Sequence, residues 1–157
     1  SSIYEIWSTA SGLTAGVNDS PTQNPEGDAL NNFLEFAFGT NPLANDSTAL
    51  MVTDATTFTP GTPVVRASPP YGESDVTAQF VQRRDAAAAG LIYVPEFSAD
   101  LISWETDPSP PVPTVVSDAG GDYQVVEVPY LVFLTTGQKA NFMRIRVNST
   151  EGGPVEP

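Results

Sequence analysis

The chain has 157 residues with no cysteine and no histidine, and 19 acidic against 6 basic side chains leave a formal net charge of −13. Thiol nucleophiles, disulfides, structural zinc and serine–histidine triads are excluded together. One lysine, Lys139, and five arginines cannot assemble the basic footprint that nucleic acid requires.

Length alone favours a single domain over residues 1–157 with one buried core. The longest apolar run, Tyr130 to Leu134, is far too short to cross a bilayer. Ile3, Ile6, Trp7, Ala10 and Leu13 recur at helical spacing, which predicts a short amphipathic helix over 3–11, ended by Gly12 and anchored by Trp7. A polar linker, Val17 to Gln23, separates it from the next element.

Asn24-Pro25-Glu26-Gly27-Asp28-Ala29-Leu30-Asn31-Asn32-Phe33-Leu34-Glu35 then places oxygen-bearing side chains at positions one, three, five, nine and twelve. That is the ligand spacing of an EF-hand-type loop, in which position seven donates a backbone carbonyl and position twelve a bidentate carboxylate. The candidate ligands are therefore Asn24, Glu26, Asp28, the carbonyl of Leu30, Asn32 and Glu35, and the expected cofactor is a structural Ca²⁺. The loop departs from the consensus at three positions. Asn24 stands for an Asp, Glu26 is a methylene longer than Asp, and Ala29 occupies the sixth position, where glycine normally turns the chain; Gly27 is placed to supply that freedom. With three carboxylates the expected affinity is weak, about 10⁻⁴ to 10⁻³ M, a range suited to extracellular calcium. The competing reading is a plain polar turn in which Asp28 or Asn24 caps the next helix.

Leu30, Phe33, Leu34, Ala37 and Phe38 form the apolar stripe of that second helix, with Gly39 and Pro42 as its stop signals. From residue 49 the pattern changes to short β-rich runs separated by Pro, Gly, Asp and Ser. Strands are expected at 49–53, 64–67, 76–83, 91–98, 101–105, 114–117, 123–130 and 142–147. Val76, Ala78 and Phe80 share one face of their strand, as do Met143, Ile145 and Val147 of theirs, with Phe142, Arg144 and Arg146 opposite. Pro95 and Pro129 mark edges or bulges. The expected fold is mainly β, an antiparallel β-sandwich or jelly roll with two short N-terminal helices flanking a calcium-type loop. Residues 1–48 form the helical and loop segment, 49–148 the sandwich and 149–157 a flexible tail.

In order along the chain, Tyr4 to Leu13 with its Trp, Asn24 to Pro42, Arg83-Arg84-Asp85-Ala86, Tyr93, Glu96, Ser98, Asp100-Leu101, Trp104 and Phe142-Met143-Arg144-Ile145-Arg146-Val147 resemble a module of large secreted proteins from verrucomicrobial and planctomycete-type bacteria. Its loop is akin to dockerin and thrombospondin type 3 calcium loops. The resemblance spans nearly the whole chain and implies an exported surface or matrix protein without implying a defined activity. A start at Ser1-Ser2 is compatible with a mature chain whose leader has been removed, and equally with a piece of a larger precursor.

No carboxylate pair is marked out for glycoside hydrolysis, and Glu96, Asp100 and Glu105 read as solvated strand or turn residues. The chain is therefore expected not to be an enzyme. The leading expectation is an exported structural subunit that associates with itself, through sheet edges or a terminal strand, into an extracellular filament or matrix stabilised by calcium. Sequon-like triplets at Asn18, Asn45 and Asn148 are glycosylation candidates. The alternative is a monomeric carbohydrate-binding or adhesion module that presents Trp104, Tyr71 and Tyr93 to sugar rings.

Overall fold

The computed structural model describes residues 1–150 and the backbone of 153–155. Helix α1, Ile3–Ala10, starts with a reciprocal cap: the Ser2 hydroxyl accepts the Glu5 amide at 3.1 Å, and the Ser2 amide donates to the Glu5 carboxylate at 3.0 Å. Its inward face differs from the expected stripe. Ile3, Tyr4 and Trp7 pack on the core and Ser8 is buried, whereas Ile6 is 60 % exposed and Ala10 faces solvent. Aromatic packing sets this rotation. Tyr4 and Trp7 lie 5.3 and 5.2 Å from the ring of Phe36, and the Tyr4 hydroxyl donates to the Asp19 carbonyl at 2.8 Å.

Helix α2, Asn32–Phe38, is capped by the Asn31 side chain, which accepts the Leu34 amide at 3.0 Å, and ends at Gly39 with φ +79°. A Cβ there would sit 3.2 Å from the Tyr123 ring, so this glycine serves both the left-handed turn and the close approach. Every residue of α2 is buried, the polar Asn32 and Glu35 included. A helix covered all round lies inside the molecule, and its polar side chains then require partners.

The paired strands that follow are all antiparallel. Strands β1 (Met51–Asp54) and β2 (Thr57–Thr59) form a hairpin; β3 (Val64–Ala67), β4 (Val76–Arg83), β6 (Thr114–Asp118) and β7 (Tyr123–Pro129) form a four-stranded sheet in the order β3-β4-β7-β6; and β5 (Leu91–Ser98), β8 (Phe142–Ser149) and β9 (Gly153–Val155) form a three-stranded sheet in the order β5-β8-β9. A third short helix, α3 (Ala86–Ala89), ends at Gly90. Alternation sorts the faces of the larger sheet. Phe80 and Ala78 stand opposite Val126 and Val128 in register and join Leu91, Ile145, Val147 and the apolar side chains of α2 in the main core. On the other face Val81 and its partner Val125 pack with Leu50 under the β1–β2 hairpin.

Strands β3, β4 and β5 fall where sequence patterning placed them, and β6, β7 and β8 within two residues of it. The expected strand at 101–105 is instead a run of bends in which only Glu105 pairs, with Phe97. Ser98 and Asp100 cause this. The Ser98 hydroxyl accepts the Asp100 and Leu101 amides and the Asp100 carboxylate accepts the Ile102 and Ser103 amides, giving these donors local partners in place of a ladder. The first strand begins at Met51 rather than Ala49, which makes an isolated bridge to Thr62. The expected flexible tail also differs: Ser149 belongs to β8 and Gly153–Val155 pairs antiparallel with it, while 151–152 and 156–157 lie outside the described residues. Pro95 lies on β5, an edge strand, and Pro129 is the last residue of the internal β7.

A buried cationic hub fixes α2 to the sheets. Tyr123 and Tyr93 donate their hydroxyls to the carbonyls of Phe36 and Ala37 at 2.7 and 2.6 Å, satisfying the helix C-terminus. Arg83 donates to the Tyr123 hydroxyl at 3.0 Å and to Asp85 at 2.7 Å, and its guanidinium lies 4.6 Å from the centre of the Phe36 ring. Glu35, one residue before Phe36, is thereby held at a fixed place.

Candidate metal centre

The loop before α2 is shaped by its own polar side chains. The Asn24 carboxamide accepts the Gly27 amide at 3.0 Å and donates to the Asp28 carbonyl at 2.7 Å, and Gly27 takes a left-handed φ of +75°. Gly27, not the sixth position, makes the turn, and the Asn24 side chain is engaged in closing the loop on itself. Asp28 ties the loop to two other segments. One of its oxygens accepts the Leu30 amide at 2.9 Å, and the other accepts the amides of Asp46 and Ser47 at 3.2 and 3.1 Å. The Ser47 hydroxyl accepts the Ala29 amide at 3.1 Å, so residues 41–47, on the far side of α2 in the chain, are laced across the loop that precedes it.

Into this frame project the carboxylates. Glu26, Asp28 and Glu35 each offer an oxygen within 4.8 Å of the others'. A calcium ion with ligands at about 2.3 to 2.6 Å spans about 4.6 to 5.2 Å between opposite oxygens, so the cluster is of the right size. Both Glu26 oxygens, Glu35 Oε1 and Asp46 Oδ1 are buried without a hydrogen-bond donor, while Glu35 Oε2 accepts the Thr40 hydroxyl and Asp46 Oδ2 the Asn41 amide at 2.9 Å. No arginine compensates them through a described ion pair. Arg83 and Arg84 pair with Asp85 and Asp118, and Arg144 and Arg146 with Glu96.

The titration behaviour stems from this imbalance. Burial, reinforced by the charges of Asp28, Asp46 and Glu26, pushes the Glu35 carboxyl up to about 8, against the hydrogen bond from Thr40. Burial and the adjoining Asp28 raise Glu26 as well. For Asp28 burial also acts upward, but the Leu30, Asp46 and Ser47 amides, with the adjoining Glu26, outweigh it and hold that carboxyl low. One site therefore contains a carboxyl held low, Asp28, beside two that are pushed up, Glu26 and Glu35, with no counter-charge between them.

Other groups of the remaining expected ligands make contacts of their own. Leu30 gives its amide to Asp28 and its side chain to the core. Asn32 is fully buried and donates its carboxamide to the carbonyls of Asn18 and Ser20 at 2.8 and 2.9 Å, which fastens the linker to α2 and leaves its Oδ1 unpartnered. Two residues of the site, Thr40 and Asp46, escaped the loop pattern because they lie beyond α2; the stop signals Gly39 and Pro42 are the sequence cue that the chain turns back there.

The aromatic candidates for sugar binding have different surroundings. Tyr93 is in the core, its ring 5.9 Å from that of Phe80 and its hydroxyl on Ala37. Trp104 lies under the Arg144 guanidinium at 4.2 Å, and Tyr71 is 69 % exposed beside Glu73 and Lys139. Of the glycosylation candidates, Asn45 is exposed in the turn before Asp46, Asn18 is half-buried and accepts the Thr14 amide at 2.7 Å, and Asn148 is half-buried within β8. Among the described residues no helix is long and apolar enough to cross a membrane. Compared with protein-family models, with curated proteins and with solved structures, the chain matches none.

Proposed function

We propose that the protein is a non-enzymatic structural module whose N-terminal third is stapled to its β-sheets by a calcium ion bound at Glu26, Asp28 and Glu35. The observation that carries this reading is Glu35: fully buried, with one oxygen lacking any donor and facing a cluster that offers further unpartnered carboxylate oxygens. An uncompensated buried carboxylate is costly, and a hard divalent cation relieves it with oxygen ligands alone. Calcium suits the set better than zinc, since neither thiolate nor imidazole is present, and better than magnesium, which demands a near-ideal octahedron and keeps several of its waters. The ion's role is mechanical. Glu26 belongs to the loop and Glu35 to α2, which Arg83, Tyr93 and Tyr123 fix to the sheets, so binding joins the loop to the core. A site of this charge fills where calcium is plentiful, which supports an exported, extracellular setting.

Within the same reading, the two larger sheets face each other as a sandwich across the main core, supported by the mixture of β4, β7, β5 and β8 side chains in it. The module is a subunit that associates with copies of itself into a filament or matrix. Strand addition at β5 is disfavoured by Pro95 and by the Phe97–Glu105 bridge, and β3 and β6, the edges of the four-stranded sheet, are among the remaining edges open to it. The monomeric sugar-binding alternative loses Tyr93 to the core. Calorimetric titration of calcium into chelator-treated protein tests the staple, with saturable one-site binding expected and silence at millimolar calcium overturning it. Electron microscopy of the same samples tests the assembly: ordered fibres support it, and dispersed monomers with and without calcium overturn it.

A further inference from the structure

We infer that Asp46 is a further ligand of this cation, so that the ion latches the 41–47 arm over the loop instead of merely filling it. The inference rests on the calcium reading and extends it to a residue outside the EF-hand-type spacing. Asp46 Oδ1 is buried without a donor, and the Asp46 amide donates at 3.2 Å to Asp28, one of the three clustered carboxylates. The arm is already aimed: the Asp46 and Ser47 amides hold Asp28 Oδ2, and Asn41 holds the second Asp46 oxygen, so Oδ1 is the one left to turn toward Glu26 and Glu35. Asp28, with three amide donors on its two oxygens, acts mainly as the organiser that brings the two segments together. Asp46 stands outside the trio whose oxygens fall within 4.8 Å of one another, so binding closes the arm further onto the ion. Four carboxylates from two segments also bind more tightly than three from one loop, because affinity rises with ligand charge and rigidity.

The test compares calcium affinity by calorimetry in wild type, Asp46→Asn and Asp107→Asn, together with hydrogen exchange of the amides at 41–47 with and without calcium. Asn at 46 keeps an acceptor for the Asn41 amide and removes only the charge. Asp107→Asn removes the same charge from a loop residue whose carboxylate accepts the Ser109 amide. Asp46→Asn is expected to weaken binding roughly ten- to a hundredfold and to abolish the calcium-induced protection of the arm, with Asp107→Asn indistinguishable from wild type. Equal affinity of Asp46→Asn and wild type, or equal losses in both variants, overturns the role of Asp46 while leaving the calcium site standing. Failure of wild type itself to bind calcium overturns the underlying reading.

Discussion

Calcium-free protein is expected to lose stability as pH rises from about 5 to 8, and calcium is expected to offset part of that loss. Glu35 has an ordinary carboxyl value of 4.5 when unfolded and is raised to about 8 in the fold by burial and by its acidic neighbours. Below 4.5 it is protonated in both states, so its burial carries no charge cost there. Between 4.5 and about 8 the folded state holds a proton that the unfolded state has released, and stability must fall with pH across that interval. At 1.36 kcal/mol per pKa unit the loss is on the order of 4 kcal/mol, which for a chain of this size lowers the melting temperature by roughly 10 °C. Glu26, also raised, acts in the same direction, whereas the lowered Asp28 contributes stability that disappears only in acid, below this interval. Bound calcium replaces the proton, and at about a tenfold excess over its dissociation constant it adds about 1.4 kcal/mol, offsetting part of the loss. The assay is thermal unfolding monitored by circular dichroism at half-unit pH steps, in chelator and in millimolar calcium. Parallel curves in the two conditions, or a chelated protein that gains stability toward pH 8, would rule out this linkage.

Glu35→Gln removes the buried charge, so the calcium-free variant should unfold above wild type at pH 8 while the calcium-dependent shift vanishes. Tyr123→Phe leaves the Phe36 carbonyl and one Arg83 donor without their partner and should cost about 1 to 3 kcal/mol in urea unfolding, with an unchanged m-value. Ile6→Ser should change stability by less than about 0.5 kcal/mol, since Ile6 faces solvent; a loss above about 2 kcal/mol would show α1 rotated onto the expected stripe.

Elements governed by local signals were legible in the sequence. Gly39 with Pro42 ended α2, and strict alternation located β4 and the faces of β8. What was hidden is what tertiary contacts decide. The rotation of α1 is set by Phe36, a residue from another helix, so periodicity alone enlisted Ile6 in place of Tyr4. The bends at 101–105 arise because Ser98 and Asp100 bind neighbouring amides, a competition that apolar patterning does not record. The loop spacing picked out Glu26, Asp28 and Glu35, whose oxygens cluster, together with Asn24, whose carboxamide closes the loop, and Asn32, whose Nδ2 tethers the linker. Asp46 lies 18 residues beyond Asp28, and only the return of the chain after α2 brings it to the site.

A calcium ion between the loop and α2 is the proposal on which the rest depends, and a crystal structure grown in millimolar calcium is the decisive measurement. Anomalous density for one ion is expected, coordinated by Glu26, Asp28, Glu35 and Asp46. An empty cluster at that concentration, or an ion bound elsewhere with the Glu35 carboxyl left unpartnered, would mean that calcium does not staple this fold.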